Sequence, residues 1–205
     1  SLSDVLDEEG LDRWPELRSI IEQKVKPERL ELGSNPNNLP LKRRWWAFQA
    51  HRPDLYAAIR GFERVLVNSA VTSYVQFAFV PSNLIYAHTV NVFPLQTYAA
   101  FCSLKGDTYN AWGRIFTSSL EDRIRYSPSD CFETFPFSDN WNTQPALEAA
   151  GKRYYEFRAA IMVRNYEGLT KTYNRFHDPG ERDPEIVKLR ELHAAMDRAV
   201  LDAYG

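Results

Sequence analysis

Glycine is scarce in this chain of 205 residues, at nine, and none of the nine falls in the spacing that cradles a phosphate between a strand and a helix. A nucleotide-binding loop of that kind is therefore missing. Cysteine is rarer still. Cys102 and Cys131 are too few for a disulfide framework or a thiolate metal site, and with Cys102 in an apolar helical run, a reducing cytoplasm is the expectation. The four histidines, His51, His88, His177 and His193, have no zinc-ligand spacing. Serine and histidine are present without a nucleophile-elbow motif or other frame for a triad. No apolar run reaches transmembrane length and no signal peptide opens the sequence, so no membrane partner is expected. A formal net charge of −2 gives no global basic field.

What is present is a core and an uneven charge. Apolar residues make up 44% and aromatics 14%, enough for one ordinary domain or a domain with an appendage. Residues 1–22 carry seven acids (Asp4, Asp7, Glu8, Glu9, Asp12, Glu16, Glu22) against Arg13 and Arg18. Residues 41–119 carry eight bases (Lys42, Arg43, Arg44, Arg52, Arg60, Arg64, Lys105, Arg114) against Asp54, Glu63 and Asp107, a net of +5. A basic middle between acidic ends is compatible with a nucleic-acid-facing surface.

Along the chain, Trp14-Pro15 to Lys26 reads as a helix, with Leu17, Ile20, Ile21 and Val25 as its stripe and Lys26-Pro27 as its stop. An Asn- and Pro-rich loop over 31–40 separates this arm from the body. A short basic–aromatic helix runs from Leu41 to Gln49, and a second from Asp54 through Arg60, closed by Gly61. Val65 to Val67, Tyr74 to Val80 and Val90 to Phe93 read as strands, too close together for helical crossovers and hence antiparallel. Tyr98–Leu104 and Tyr109–Phe116 read as short helices, and 122–137 as strand and turn. Ala146–Arg164 and Pro184–Ala203 are long amphipathic helices, with a loop over LTKTYNRFHDPGERD between them. The expected class is α+β: a small, mainly antiparallel sheet with flanking helices, then a helical C-terminal tail. The expected divisions are 1–40, an arm from a preceding domain; 41–141, the body; and 142–205, the tail.

The densest polar chemistry lies in Ser119–Phe137, SLEDRIRYSPSDCFETFPF. Glu121, Asp122, Arg123 and Arg125 set four charges in five positions, costly to bury unpaired. Arginine forks match the guanine major-groove edge, carboxylates accept from the cytosine amino group, and Ser or Tyr hydroxyls serve phosphates. A solvated turn with local ion pairs is the plainer alternative. Lys42-Arg43-Arg44-Trp45-Trp46 sets phosphate-binding cations beside stacking rings. Two adjacent tryptophans point about 100° apart on a helix, so one of them belongs to a core.

RYSPSDCFETFPF, Leu169-Thr170-Lys171-Thr172-Tyr173-Asn174 and the closing LRELHAAMDRAVLDAYG together resemble the C-terminal part of one family. It comprises the large DNA N6-adenine methyltransferases of single-chain (type IIG and IIL) restriction–modification enzymes and related phage-defence methylases. The resemblance runs from about Val25-Lys26-Pro27-Glu28-Arg29 to the end, in several blocks in the right order. It implies that 41–141 is a target-recognition domain for double-stranded DNA, and that the chain is a piece of a longer protein. The pair reading one base pair falls on Glu121 and Arg123, and the DNA-facing strand and turn supply Asn68, Ser69 and Thr72. Lys42, Arg43, Arg44, Arg125, Tyr126, Ser127 and Lys171 are the implied phosphate or scaffold positions. The Thr170–Arg175 block could instead fasten the tail to a methyltransferase domain of the same parent chain.

The chemistry itself is missing. Amino-methyltransferases use Asp/Asn-Pro-Pro-Tyr/Phe against the flipped base, whereas here the lone Asn35-Pro36 is followed by Asn37. S-adenosylmethionine would belong to the absent domain; for this chain neither a cofactor nor a metal is expected. Two other readings remain: a protein-interaction scaffold of a phage-defence complex docking through its helical tail, and a nuclease using Glu22 and Lys24. The second lacks the upstream Pro-Asp on a strand that such an E-x-K needs.

Overall fold

The protein is described from a computed structural model covering residues 7–47, 52–116, 118–120 and 123–205; for 118–120 and 123 it gives the backbone alone. The chain divides into two compact units, Ser1–Ala57 and Ala58–Gly205.

In the first unit a 3-10 turn, Glu9–Arg13, leads into α1 (Pro15–Lys24), α2 (Lys26–Glu31) and α3 (Leu39–Arg43), with α4 (Pro53–Ala58) at its end. Pro15 opens α1, where its missing N–H has no partner to lose. α1 ends at Lys24, close to the expected stop at Lys26-Pro27. By the same logic Pro27 sits in the first turn of a new helix, α2, with no loop interposed. The expected helix from Leu41 to Gln49 begins earlier and ends at Arg43; residues 48–51 lie outside the described residues. Leu11, Trp45, Trp46 and Ala47 form a small core with Ile21 against it. Both tryptophans are buried, packed edge to face with centroids 5.7 Å apart, and Lys26 Nζ lies 4.6 Å over Trp45.

The second unit holds two antiparallel sheets. In the first, β1 (Arg64–Ser69) lies between β3 (Ala78–Pro81) and β4 (Val90–Phe93), with Leu66 opposite both Phe79 and Phe93. β-Branched residues in β1 fill its pleat, burying Val65 and Leu66. The expected strand Tyr74–Val80 pairs only from Ala78. Val75 and Phe77 turn into the core instead, and the Phe77 carbonyl accepts from Arg158 Nη2 at 2.9 Å. In the second sheet, β6 (Arg123–Arg125) pairs with both β2 (Val71–Thr72) and β5 (Ser118–Leu120).

Helices cover the first sheet. α5 (Tyr98–Lys105) is capped by Thr97 Oγ1, which accepts from the Ala100 N–H, and it is buried from Ala99 onward. It is followed by α6 (Asp107–Phe116) and, after β6, by the short α7 (Pro128–Cys131). α8 (Pro145–Asn165) lies across α5 at Gly151, where a Cβ would stand 2.2 Å from the Tyr98 carbonyl oxygen. α10 (Pro184–Asp202) packs on α8 through Ile186, Leu189, Met196 and Val200. The helices after residue 142 thus share one core with the sheet.

One expected loop is a helix: α9 spans Leu169–His177. Thr, Tyr and Asn are weak helix formers, and tertiary burial overrides them. Thr172 and Tyr173 are 1% and 0% exposed, and the Tyr173 hydroxyl lies 2.6 Å from that of Tyr154 and receives Arg158 Nη1 at 3.2 Å. The α+β class holds.

Candidate nucleic-acid interface

β2 and β6, separated by some fifty residues of sequence, meet in the second sheet. Val71 faces Arg125, which faces Ser118; one step on, Thr72 faces Ile124, which faces Ser119. Cross-strand neighbours share a face. The Val71–Arg125 row is exposed, with Val71 at 50%, whereas Ile124 is half-buried against the core. Arg125 makes no ion pair among the described residues, nor does the exposed Arg114 on α6. Two other arginines of this unit serve the structure. Arg175 contacts Glu181 (2.7 Å), Asp183 (2.8 Å) and Glu167 (3.4 Å), and Arg190 donates to the carbonyls of Phe176 and Asp178.

The expected reading residues separate by position. Ser69 is exposed at the end of β1, its hydroxyl donating to the Val71 carbonyl at 2.8 Å. Thr72 is half-buried and donates to the Tyr74 carbonyl at 2.8 Å. Thr72 Oγ1 also accepts the Tyr74 N–H at 3.3 Å, which leaves it one lone pair, and the Ser69 hydroxyl keeps acceptor capacity. Asn68 is 3% exposed, and its Oδ1 accepts from Asn91 at 2.9 Å. The Asn68 side chain lies in the core, away from the exposed row of the second sheet. Glu121 lies outside the described residues, and of Arg123 only the backbone, the first residue of β6, is placed.

The expected phosphate positions divide likewise. Arg125 is exposed. Tyr126 is 3% exposed, and its hydroxyl bonds that of Tyr109, while burial pushes both phenols well above their ordinary range. It is scaffold, because a phosphate cannot reach it. Ser127 is half-buried, with its hydroxyl 2.9 Å from that of Ser129. Lys171 is exposed on α9 and pairs with Glu167 at 3.4 Å. In the first unit Arg43 is exposed in the last turn of α3, and Lys42 and Arg44 are half-buried.

Sequence reasoning missed a polar cleft beside this sheet. Ile124 forms part of one wall, and the cleft encloses about 100 Å³. At its floor Lys105 Nζ lies 3.0 Å from His193 Nε2, and His193 Nδ1 lies 2.9 Å from Asp197 Oδ2. Asp197 Oδ1 also accepts the Asp107 N–H at 2.8 Å. Burial pushes the Lys105 ammonium down. Burial would raise the Asp197 carboxyl, yet the hydrogen bond and charge of His193 hold it below its usual range. His193 and Asp197 fall four residues apart on α10, a spacing visible in sequence; that Lys105 joins them is not.

Asp107, His193 and Asp197 are close enough to share a metal ion. The donor set argues against one, since the Lys105 ammonium faces the imidazole nitrogen that a cation would need. Among the described residues no helix is long and apolar enough to cross a membrane.

This fold has a solved counterpart. The chain is similar to MmeI, a type IIL restriction–modification enzyme, in its structure in complex with DNA, with a TM-score of 0.64 and 22% identity. The match covers 98% of this chain and 25% of that one, so the chain spans about a quarter of its neighbour's length. At this identity the likeness establishes the fold. No family model matches the sequence, and no curated protein does.

Proposed function

We propose that this chain recognises double-stranded DNA as the specificity segment of a restriction–modification or phage-defence adenine methyltransferase. The observation that carries the reading is the second sheet. It joins the 69–72 turn to the β5–β6 hairpin, two segments that the sequence reading places at the DNA, and presents Arg125 unpaired among the described residues. The shared fold with an enzyme solved on DNA supports it. The methyl transfer, and the S-adenosylmethionine it consumes, belong to a methyltransferase domain of the same parent chain, in a prokaryotic cytoplasm. This chain contributes sequence choice and part of the affinity.

The test is equilibrium binding of duplex DNA across a salt series. Phosphate neutralisation releases counterions, so affinity should fall steeply with salt, and Arg125→Ala should reduce the log–log slope by about 0.9 if it holds one phosphate. If Arg125 reads a base instead, the variant loses discrimination at one base pair by about 1–3 kcal/mol. Salt-independent binding, or an Arg125→Ala protein indistinguishable from wild type, refutes the assignment. Val163 and Tyr166, 76% and 97% exposed at the end of α8, favour the second reading, a scaffold docking a protein partner through its tail. Under that reading, Tyr166→Ser abolishes partner capture and DNA is not bound.

A further inference from the structure

The cleft beside the second sheet gathers Lys105, Arg114, His177 and His193 near the carboxylates of Asp107 and Asp197. Lys105 is buried, yet its ammonium has three donors and one hydrogen-bonding acceptor among the described residues, His193 Nε2, with the Tyr173 ring 5.2 Å beneath it. Arg114 lies in the wall with no ion pair among the described residues. His177 stands at the rim, stacked on Tyr74 with ring centroids 4.6 Å apart. Lys105, Arg114 and His193 are close enough that, after burial, they disfavour a proton on His177. The Asp107 carboxylate opposes this in part. Asp197 is occupied by the Asp107 N–H and the His193 ring, and the Asp107 side chain is 77% exposed. Gln76 lines the same cleft, with Oε1 buried and without a hydrogen-bond partner among the described residues.

We propose that this cleft is a phosphate-binding site, with the Lys105 ammonium at its floor, oriented by His193, and Arg114 and His177 at its rim. A tetrahedral anion is acceptor-only, and it would satisfy the spare ammonium protons and the Arg114 fork together. Ile124, in the cleft wall, points to the opposite face of β6 from Arg125, so comparing inorganic phosphate with a DNA duplex decides whether the phosphate is a free anion or part of DNA. The identity of the phosphate as part of DNA rests on the reading above; the site itself does not.

The experiment is an NMR titration of the His177 imidazole in the full chain, ¹⁵N-labelled, in chloride buffer, with inorganic phosphate and, separately, with a short DNA duplex. A bound anion should raise the His177 pKa by about one unit, and Arg114→Gln should weaken the inorganic phosphate that produces this shift about tenfold. Lys105→Gln risks misfolding, and the exposed Arg114 keeps the test independent of it. A shift with both ligands supports a phosphodiester site. A shift with inorganic phosphate alone supports the phosphate site and overturns its place on the DNA path. His177 unmoved by both ligands, or an equal shift in Arg114→Gln, overturns the proposal. DNA binding that depends on Arg125 while both ligands leave His177 fixed leaves the recognition reading standing and removes this site.

Discussion

Replacing Gly151 by alanine tests how the tail is built onto the sheet. An added Cβ would lie 2.2 Å from the Tyr98 carbonyl oxygen and 3.0 Å from both the Tyr98 carbonyl carbon and Cys102 Cβ. The obstacle is the backbone of α5, which cannot rotate aside as a flexible side chain could. Relief requires α8 to retreat by roughly 1 Å, and gaps of that size forfeit a quarter to a half of each dispersion contact along the interface. Overpacking of this kind costs about 1–3 kcal/mol, and a backbone obstacle puts it near the upper end. Alanine returns about 1 kcal/mol of helix propensity over glycine. The expected net loss is about 2 kcal/mol, a fall in Tm of roughly 4–8 °C for a unit of this size. Gly113 in α6 is the control, since nothing lies within 4 Å of its Cβ position. Gly113→Ala should hold or raise Tm by calorimetry. If Gly151→Ala raises Tm as Gly113→Ala does, the α5–α8 approach is not the one described.

Tyr126→Phe should cost about 1 kcal/mol in chemical denaturation through the lost hydrogen bond to Tyr109, while DNA affinity per folded molecule is unchanged; a selective loss of affinity would make Tyr126 a contact after all. Burial raises the Tyr126 phenol in the folded state, so its stabilising effect is complete below the unfolded value near 10 and declines as pH rises through that value. The variant should therefore remove about 1.4 kcal/mol per pH unit of the decline above pH 10, and parallel curves for the two proteins would contradict this. Arg175→Ala leaves Glu167, Glu181 and Asp183 without their shared cation, and should cost about 1 kcal/mol at low salt and less at 1 M salt. A salt-independent cost would mean that packing, not charge, holds that corner.

The sequence alone determined the class and most helices. Apolar stripes at three- and four-residue spacing in 145–165 and 184–202 need no tertiary context, because a long amphipathic period has one good solution. The antiparallel sheet followed from segments too short to hold a crossover. The 169–177 block misled because local propensity was weaker than what the neighbours supplied: Thr172 and Tyr173 found a buried face, where Tyr173 meets Tyr154 and Arg158. The site divided in the same way. Ser69, Thr72 and Arg125 could be nominated as polar residues in strand and turn, but only strand pairing brings 71–72 beside 124–125. That Asn68 and Tyr126 face inward depends on which side of each strand meets the helices, and one register step would have reversed it. The Lys105, Arg114, His177 and His193 cleft draws on four helices, α5 and α6 from the body and α9 and α10 from the tail. Charge convergence of that sort is a property of packing, and no spacing along the chain records it.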